Sequence, residues 1–156
     1  MITHLIDVSV RINAPPPSVW CALTDPALMK QWMAEPEMRL EILTDWSVGS
    51  PIVIRGWHHV KFENTGIVLR FEPYLILGYT HLSSVSRLPD KRENYTVMEF
   101  RLTPEGPNST SLHLTISGFP TESIFKHFDF YWATTIHILK NFIEHSHIDI
   151  KDQRGN

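Results

Sequence analysis

Residues 121–145 read TESIFKHFDFYWATTIHILKNFIEH, and their periodicity decides the fold. Phe125, Phe128, Trp132, Ile136, Leu139 and Ile143 recur at steps of three and four, the spacing of one face of an α-helix. Thr121 after Pro120 is a capping residue, and Glu122 places a negative charge in the first turn. The spacing predicts a helix over 122–145, roughly 36 Å long at a rise of about 1.5 Å per residue. Lys126, His127, Asp129, Lys140, Asn141 and Glu144 make it too polar to span a bilayer. Such a helix needs a broad apolar partner.

Upstream, the chain reads mainly as strands. His4 to Ile12 alternates, with Ile6, Val8, Val10 and Ile12 on one face. After Ala14-Pro15-Pro16-Pro17 come two short helices, Ser18 to Leu23 and Ala27 to Met33, separated by Asp25-Pro26. Strands are then expected over Glu37 to Thr44, Pro51 to Trp57, Val60 to Glu72, Leu75 to Val85, Tyr95 to Thr103 and Thr110 to Ser117. Gly66 marks a bulge or a close approach within the long third of these. Arg70 and Glu72 are read as solvent-facing, opposite Ile67, Leu69 and Phe71, and Glu99, Arg101 and His113 as solvent-facing too. The sum is an α+β fold: seven antiparallel strands covered on one face by the long helix. A concave sheet around one helix leaves room for a ligand between them.

The chain has 156 residues, the size of one domain. A net charge of −3 gives no basic footprint for nucleic acid and no polybasic membrane signal. The lone Cys21 excludes an intramolecular disulfide framework and is expected to pack as a small hydrophobe. Met1 to Asp7 lacks the basic and apolar regions of a signal peptide, so a cytoplasmic location and no membrane insertion are expected.

Four stretches resemble the START-like (SRPBCC, helix-grip) superfamily, in its branch related to the activator of the heat-shock-protein-ninety ATPase. Pro17-Ser18-Val19-Trp20-Cys21-Ala22-Leu23-Thr24-Asp25-Pro26 with Met29-Lys30-Gln31-Trp32 is similar to that family's opening helices. Trp46-Ser47-Val48-Gly49-Ser50 stands where the family has a Val-Gly-Gly turn. Thr65-Gly66-Ile67-Val68-Leu69 with Glu72-Pro73-Tyr74-Leu75 resembles its Gly-bearing strand and Pro turn. Trp132, Leu139-Lys140 and Phe142-Ile143-Glu144 resemble its C-terminal helix signature. Two positions depart: Ser50 replaces the second Gly, and Tyr79-Thr80-His81 stands where Trp is common. The resemblance implies one helix-grip domain over residues 1–147, followed by a short polar tail at 148–156. That superfamily holds lipid and hormone binders, polyketide cyclases, ring-hydroxylase subunits and co-chaperones, so the fold alone does not carry an activity.

Nine histidines stand in no HExxH or Cys-partnered pattern, and neither a metal nor a cofactor is expected. His58 and His59, as strand neighbours, should point to opposite faces. No nucleophile elbow or phosphate loop is present, and no catalytic residue is assigned. Tyr79 and His81 share a strand face with Leu75 and Leu77, and Asp129 falls on the margin of the helix stripe. The plainer reading of each is a structural pair or a solvated flank; the functional reading puts all three in the cavity. Trp32, Trp57, Phe71, Phe100, Phe128, Trp132 and Ile136 are candidate walls. Phe130, Tyr131 and Ile138 extend the apolar surface to the back of the helix, where a homodimer contact could form.

Three functions follow as expectations. The first is binding of a hydrophobic or aromatic small molecule between sheet and helix. The second is a cyclase- or hydrolase-type enzyme built on Tyr79, His81 and Asp129. The third is a co-chaperone-like interaction module, which needs a filled cavity and an exposed patch.

Overall fold

The computed structural model describes residues 4–148; of the tail expected at 148–156, Ile148 packs against the core and residues 149–156 lie outside the described residues. Strand β1 (Ile6–Ile12) leads into helices α1 (Pro16–Thr24) and α2 (Pro26–Met33). Six strands follow: β2 (Glu41–Leu43), β3 (Pro51–His58), β4 (Val60–Glu72), β5 (Ile76–Ser83), β6 (Thr96–Pro104) and β7 (Thr110–Ser117). Helix α3 (Glu122–His145) closes the chain. The strands form one antiparallel sheet in the order β1-β7-β6-β5-β4-β3-β2. Only the β1–β7 pairing joins strands distant in sequence; the others are hairpin neighbours. No described helix is long and apolar enough to cross a membrane.

Helix α3 starts where the capping signal puts it, with the Thr121 hydroxyl accepting from the Ile124 N–H at 3.2 Å. Its buried stripe is Phe128, Trp132, Thr135, Ile136, Leu139 and Ile143. Against it the sheet presents Ile12, Val68, Leu77, Phe100, Leu112, Leu114 and Ile116, all almost wholly buried. The far end of α3 is tied to the end of β1 and the residue after it. Lys140 Nζ donates to the Arg11 carbonyl at 2.9 Å, and the Asn13 N–H donates to Glu144 at 2.7 Å. That N–H, with Lys140 beside it, holds the Glu144 carboxyl below its ordinary range.

Helix α1 fills the space under this same end. Trp20 meets the edge of Phe71 at 5.2 Å and of Tyr74 at 6.4 Å, and Trp46 stacks on Phe71 at 5.7 Å. Cys21 is buried in α1, packed as a hydrophobe. With one end plugged, any void must lie at the other.

Four local expectations need correction. The stretch expected as a strand from Glu37 forms a tight 3₁₀ turn at Pro36–Met38, then Arg39 takes a left-handed φ of 48°. Proline's fixed φ starts the turn, and β2 shrinks to Glu41–Leu43. In β4 the register shifts between Val68 and Arg70. The extra residue inverts the alternation, so Val68 and Phe71 face inward while Ile67 and Leu69 are 41% and 40% exposed. Ile67 and Leu69 are therefore not inward residues. His58 and His59 do not diverge, because His59 takes a φ of 66° in the β3–β4 turn and the rings meet at 4.8 Å. Tyr131 is not on the back of α3, since its hydroxyl donates to the Met33 carbonyl at 2.7 Å.

Gly66 is the close-approach point. A Cβ there would lie 1.7 Å from the Thr80 carbonyl oxygen. The adjacent Ile67 N–H donates to the Thr80 hydroxyl at 2.9 Å, so β4 is drawn onto β5 beside Tyr79 and His81.

Candidate functional site

A cavity of about 610 Å³ opens at the end of the sheet that α1 does not plug. The first half of α3 forms one wall, through Ser123, Ile124, His127, Phe128, Tyr131 and Trp132. The opposite wall comes from the β3–β4 hairpin (Ile54, His58, Val60, Phe62, Asn64), the end of β5 (Tyr79, His81, Leu82, Ser83) and the start of β6 (Thr96, Met98). Met33 at the end of α2 and Ala34 after it, with Met38 and Leu40, close one side, and Val85, Ser86 and Asn94 line the other. Antiparallel pairing explains the set: it places the end of each odd-numbered strand, β3 and β5, beside the start of its even-numbered neighbour, β4 and β6. The volume suits a small organic ligand.

The walls are mostly apolar, and among the described lining residues there is no Asp, Glu, Lys or Arg. Burial pushes the Tyr79 phenol up, with Tyr131 adding to the shift. Burial also pushes His81 down to about 4, and the neighbouring His127 adds to the effect. The His81 ring stands edge-on to Phe128 at 5.1 Å. The Tyr131 hydroxyl is pushed up to about 12, again by burial. At neutral pH each of these buried groups is uncharged.

The lowered His81 carries a stability signature. In the unfolded chain the ring takes up a proton near its ordinary value, while in the fold it stays neutral down to about pH 4. Between those values the unfolded state holds more protons, so stability falls as pH falls; above them the effect vanishes. The ring is only partly shielded from water, which discounts the full shift to about 2 kcal/mol. The unfolding free energy from urea titration should fall by that much more between pH 7.5 and pH 4 in the wild type than in His81→Gln. Parallel pH profiles in the two proteins would contradict this placement of His81.

Of the ten sequence-derived candidates, the structure places Tyr79, His81, Phe128 and Trp132 together in the cavity wall. Trp32 is buried behind it, its ring 6.2 Å from Trp132 and its N–H donating to the Ala22 carbonyl at 2.9 Å. Phe100 lies beneath Trp132 at 5.8 Å, and Ile136 is buried one helical turn further on. Phe71 belongs to the plugged end, against Trp20 and Trp46. Trp57 is 52% exposed, because β3 turns Ile52, Ile54 and Gly56 inward and Trp57 outward. Asp129 is exposed on α3, one position past Phe128, and does not reach the cavity. An enzyme built on Tyr79, His81 and Asp129 thereby loses its acid.

Sequence reasoning missed Met33, Met38, Met98, His127 and Tyr131. The signal for the last two was present. Ile124, His127, Phe128, Tyr131 and Trp132 recur at steps of three and four and widen the apolar stripe at the start of α3. Met98 shares the inward alternation of β6 with Phe100 and Leu102, whereas Met33 and Met38 stand at the ends of α2 and the 3₁₀ turn, adaptable residues suited to irregular surfaces.

Residues 13–144 match the family described as activator of Hsp90 ATPase homolog 1-like protein. The solution structure of ChR145 from Cytophaga hutchinsonii is 34% identical over 92% of this chain and 96% of that one, with a TM-score of 0.75. CalU16 from Micromonospora echinospora is 24% identical, covering 92% of this chain and 78% of that one, with a TM-score of 0.69. The Aha1 dimer from Colwellia psychrerythraea is 21% identical over 91% of this chain and 97% of that one, with a TM-score of 0.71. These last two likenesses concern the fold alone. No curated protein matches the chain.

Proposed function

Since the chain belongs to the activator of Hsp90 ATPase homolog 1-like family, we propose that it uses that fold to bind a hydrophobic or aromatic small molecule. The site is the cavity between the first half of α3 and the ends of β3 to β6. One observation carries the reading: a cavity of about 610 Å³ with mainly apolar walls and no formally charged residue among the described lining residues. An interior left open at that size forgoes packing contacts that side chains could have made, which is the cost of keeping a ligand site. Phe128 and Trp132 supply aromatic walls, and Met33, Met38 and Met98 supply adaptable ones.

The test is titration with N-phenyl-naphthylamine, an uncharged dye that fluoresces in apolar surroundings. Saturable, one-to-one enhancement is expected. Enhancement that rises without saturation, or none, would count against a defined site.

A homodimer is a second reading, with its own observation. Ile67, Leu69 and Val97 stand exposed on the outer face of the sheet, and the Colwellia neighbour is described as a dimer. Sedimentation velocity should then give a dimer that Leu69→Lys converts to monomer. A wild-type monomer at all concentrations would remove this reading and leave the cavity untouched.

A further inference from the structure

We infer that the cavity selects an uncharged ligand carrying a hydroxyl or carbonyl oxygen, which it seats between the Tyr79 hydroxyl and the His81 ring. The inference rests on the cavity being the ligand site, and adds to it the chemistry of the ligand's head.

Charge is the first consideration. A carboxylate, phosphate or ammonium entering this cavity would shed its hydration shell and meet no opposite charge among the described lining residues. Few neutral hydrogen bonds are on offer to compensate it. A neutral molecule pays no such penalty.

The second is which polar groups are free. The Tyr131 hydroxyl is committed to the Met33 carbonyl, and the Thr96 hydroxyl donates to the His81 carbonyl at 3.2 Å. Ser86 donates to the Ser83 carbonyl, Ser83 accepts from the Val85 N–H, and Asn94 donates to the Pro89 carbonyl. The groups left over on the inner wall include the Trp132 indole N–H, buried with no partner among the described residues, and the Tyr79 and His81 side chains. The Tyr79 hydroxyl has no hydrogen-bond partner among the described residues, and the His81 ring has none beyond its own backbone. Tyr79 is 4% exposed, so its side chain is a buried one that solvent serves poorly. The two residues stand two apart on β5, hence on one face and about 7 Å apart along the strand. One ligand oxygen between them accepts from the phenol. A hydroxyl satisfies both, accepting from the phenol and donating to the free ring nitrogen, because the one N–H of the neutral ring is used on its own backbone; a carbonyl accepts from the phenol alone.

Three probes of one shape separate the possibilities by displacement of N-phenyl-naphthylamine at neutral pH: acetonaphthone, its apolar analogue ethylnaphthalene, and the anion naphthoate. In the wild type acetonaphthone should displace the dye at a concentration at least about tenfold below that of naphthoate. In Tyr79→Phe the advantage of acetonaphthone relative to ethylnaphthalene should shrink about tenfold. The melting temperature should hold, since the lost hydroxyl had no protein partner. Naphthoate displacing as well as acetonaphthone in the wild type overturns the inference while leaving the cavity a ligand site. An unchanged ratio of ketone to hydrocarbon in a folded Tyr79→Phe does the same. No dye enhancement at all removes the ligand site and the inference together.

Discussion

Gly66→Ala is expected to destabilise the protein by at least about 3 kcal/mol, enough to leave a domain of this size largely unfolded or aggregated. The cause is local and steric. A Cβ at this position would stand 1.7 Å from the Thr80 carbonyl oxygen and 2.6 Å from its carbon, both backbone atoms of β5. No rotamer change relieves a clash between a Cβ and a main chain, so the two central strands must separate. The Ile67 N–H to Thr80 hydroxyl bond would go with them, and Tyr79 and His81, which flank Thr80, would shift in the cavity wall. Gly78→Ala supplies the comparison within the same sheet. Its Cβ would meet the Met98 carbonyl oxygen at 3.5 Å and the Arg70 side chain at 3.6 Å, ordinary contacts. That variant should change stability by less than about 1 kcal/mol. Urea unfolding of the three proteins decides the matter, and equal midpoints for the two variants would contradict the close approach.

Ala34→Trp is expected to weaken ligand binding about 100-fold while leaving the fold intact. Ala34 follows α2 with φ of −156° and ψ of 162°, an extended conformation open to any residue, and its side chain lines the cavity. An indole there occupies space that a ligand needs and covers wall residues it would touch. Losing about 110 Å² of apolar contact at about 25 cal/mol per Å² weakens binding by roughly 3 kcal/mol, a factor on the order of 100. Melting temperature should hold or rise, because the new ring fills a void rather than entering a packed core. Dye titration and thermal melts read the two effects separately. A folded Ala34→Trp that binds the dye as tightly as wild type would place the site elsewhere.

The fold was legible because its decisive signals are periodic and long. The α3 stripe predicted a helix over 122–145, and the cap at Thr121 marks its start in the structure. The bounds of β7 follow from turn residues on either side, and the end of β4 from Pro73. What escaped were features one residue wide. The bulge near Leu69 reverses which β4 side chains face inward, and a strand's alternation cannot announce an inserted residue. Arg39 and His59 adopt positive φ without being glycine, so nothing in their identity marks the breaks they make.

The site was legible by face and not by depth. Trp32, Phe71, Phe100 and Ile136 turn toward the interior as their patterns require, yet they are packing for α1, α2 or the helix stripe. Only the three-dimensional position of α1 decides which end of the sheet is filled. Asp129 shows the same limit on a helix, where one step of 100° separates the buried Phe128 from a solvent-facing carboxylate.

Nuclear magnetic resonance of the ¹⁵N-labelled protein, titrated with N-phenyl-naphthylamine, tests the central claim most directly. The account predicts shifts in the Trp132 indole N–H and in the amides of Tyr79 to Ser83 and Ser123 to Trp132. The indole N–H signal of Trp20, at the plugged end against Phe71 and Tyr74, should stay in place. Shifts confined to Ile67, Leu69 and Val97 on the outer sheet face, with the Trp132 indole unmoved, would contradict it.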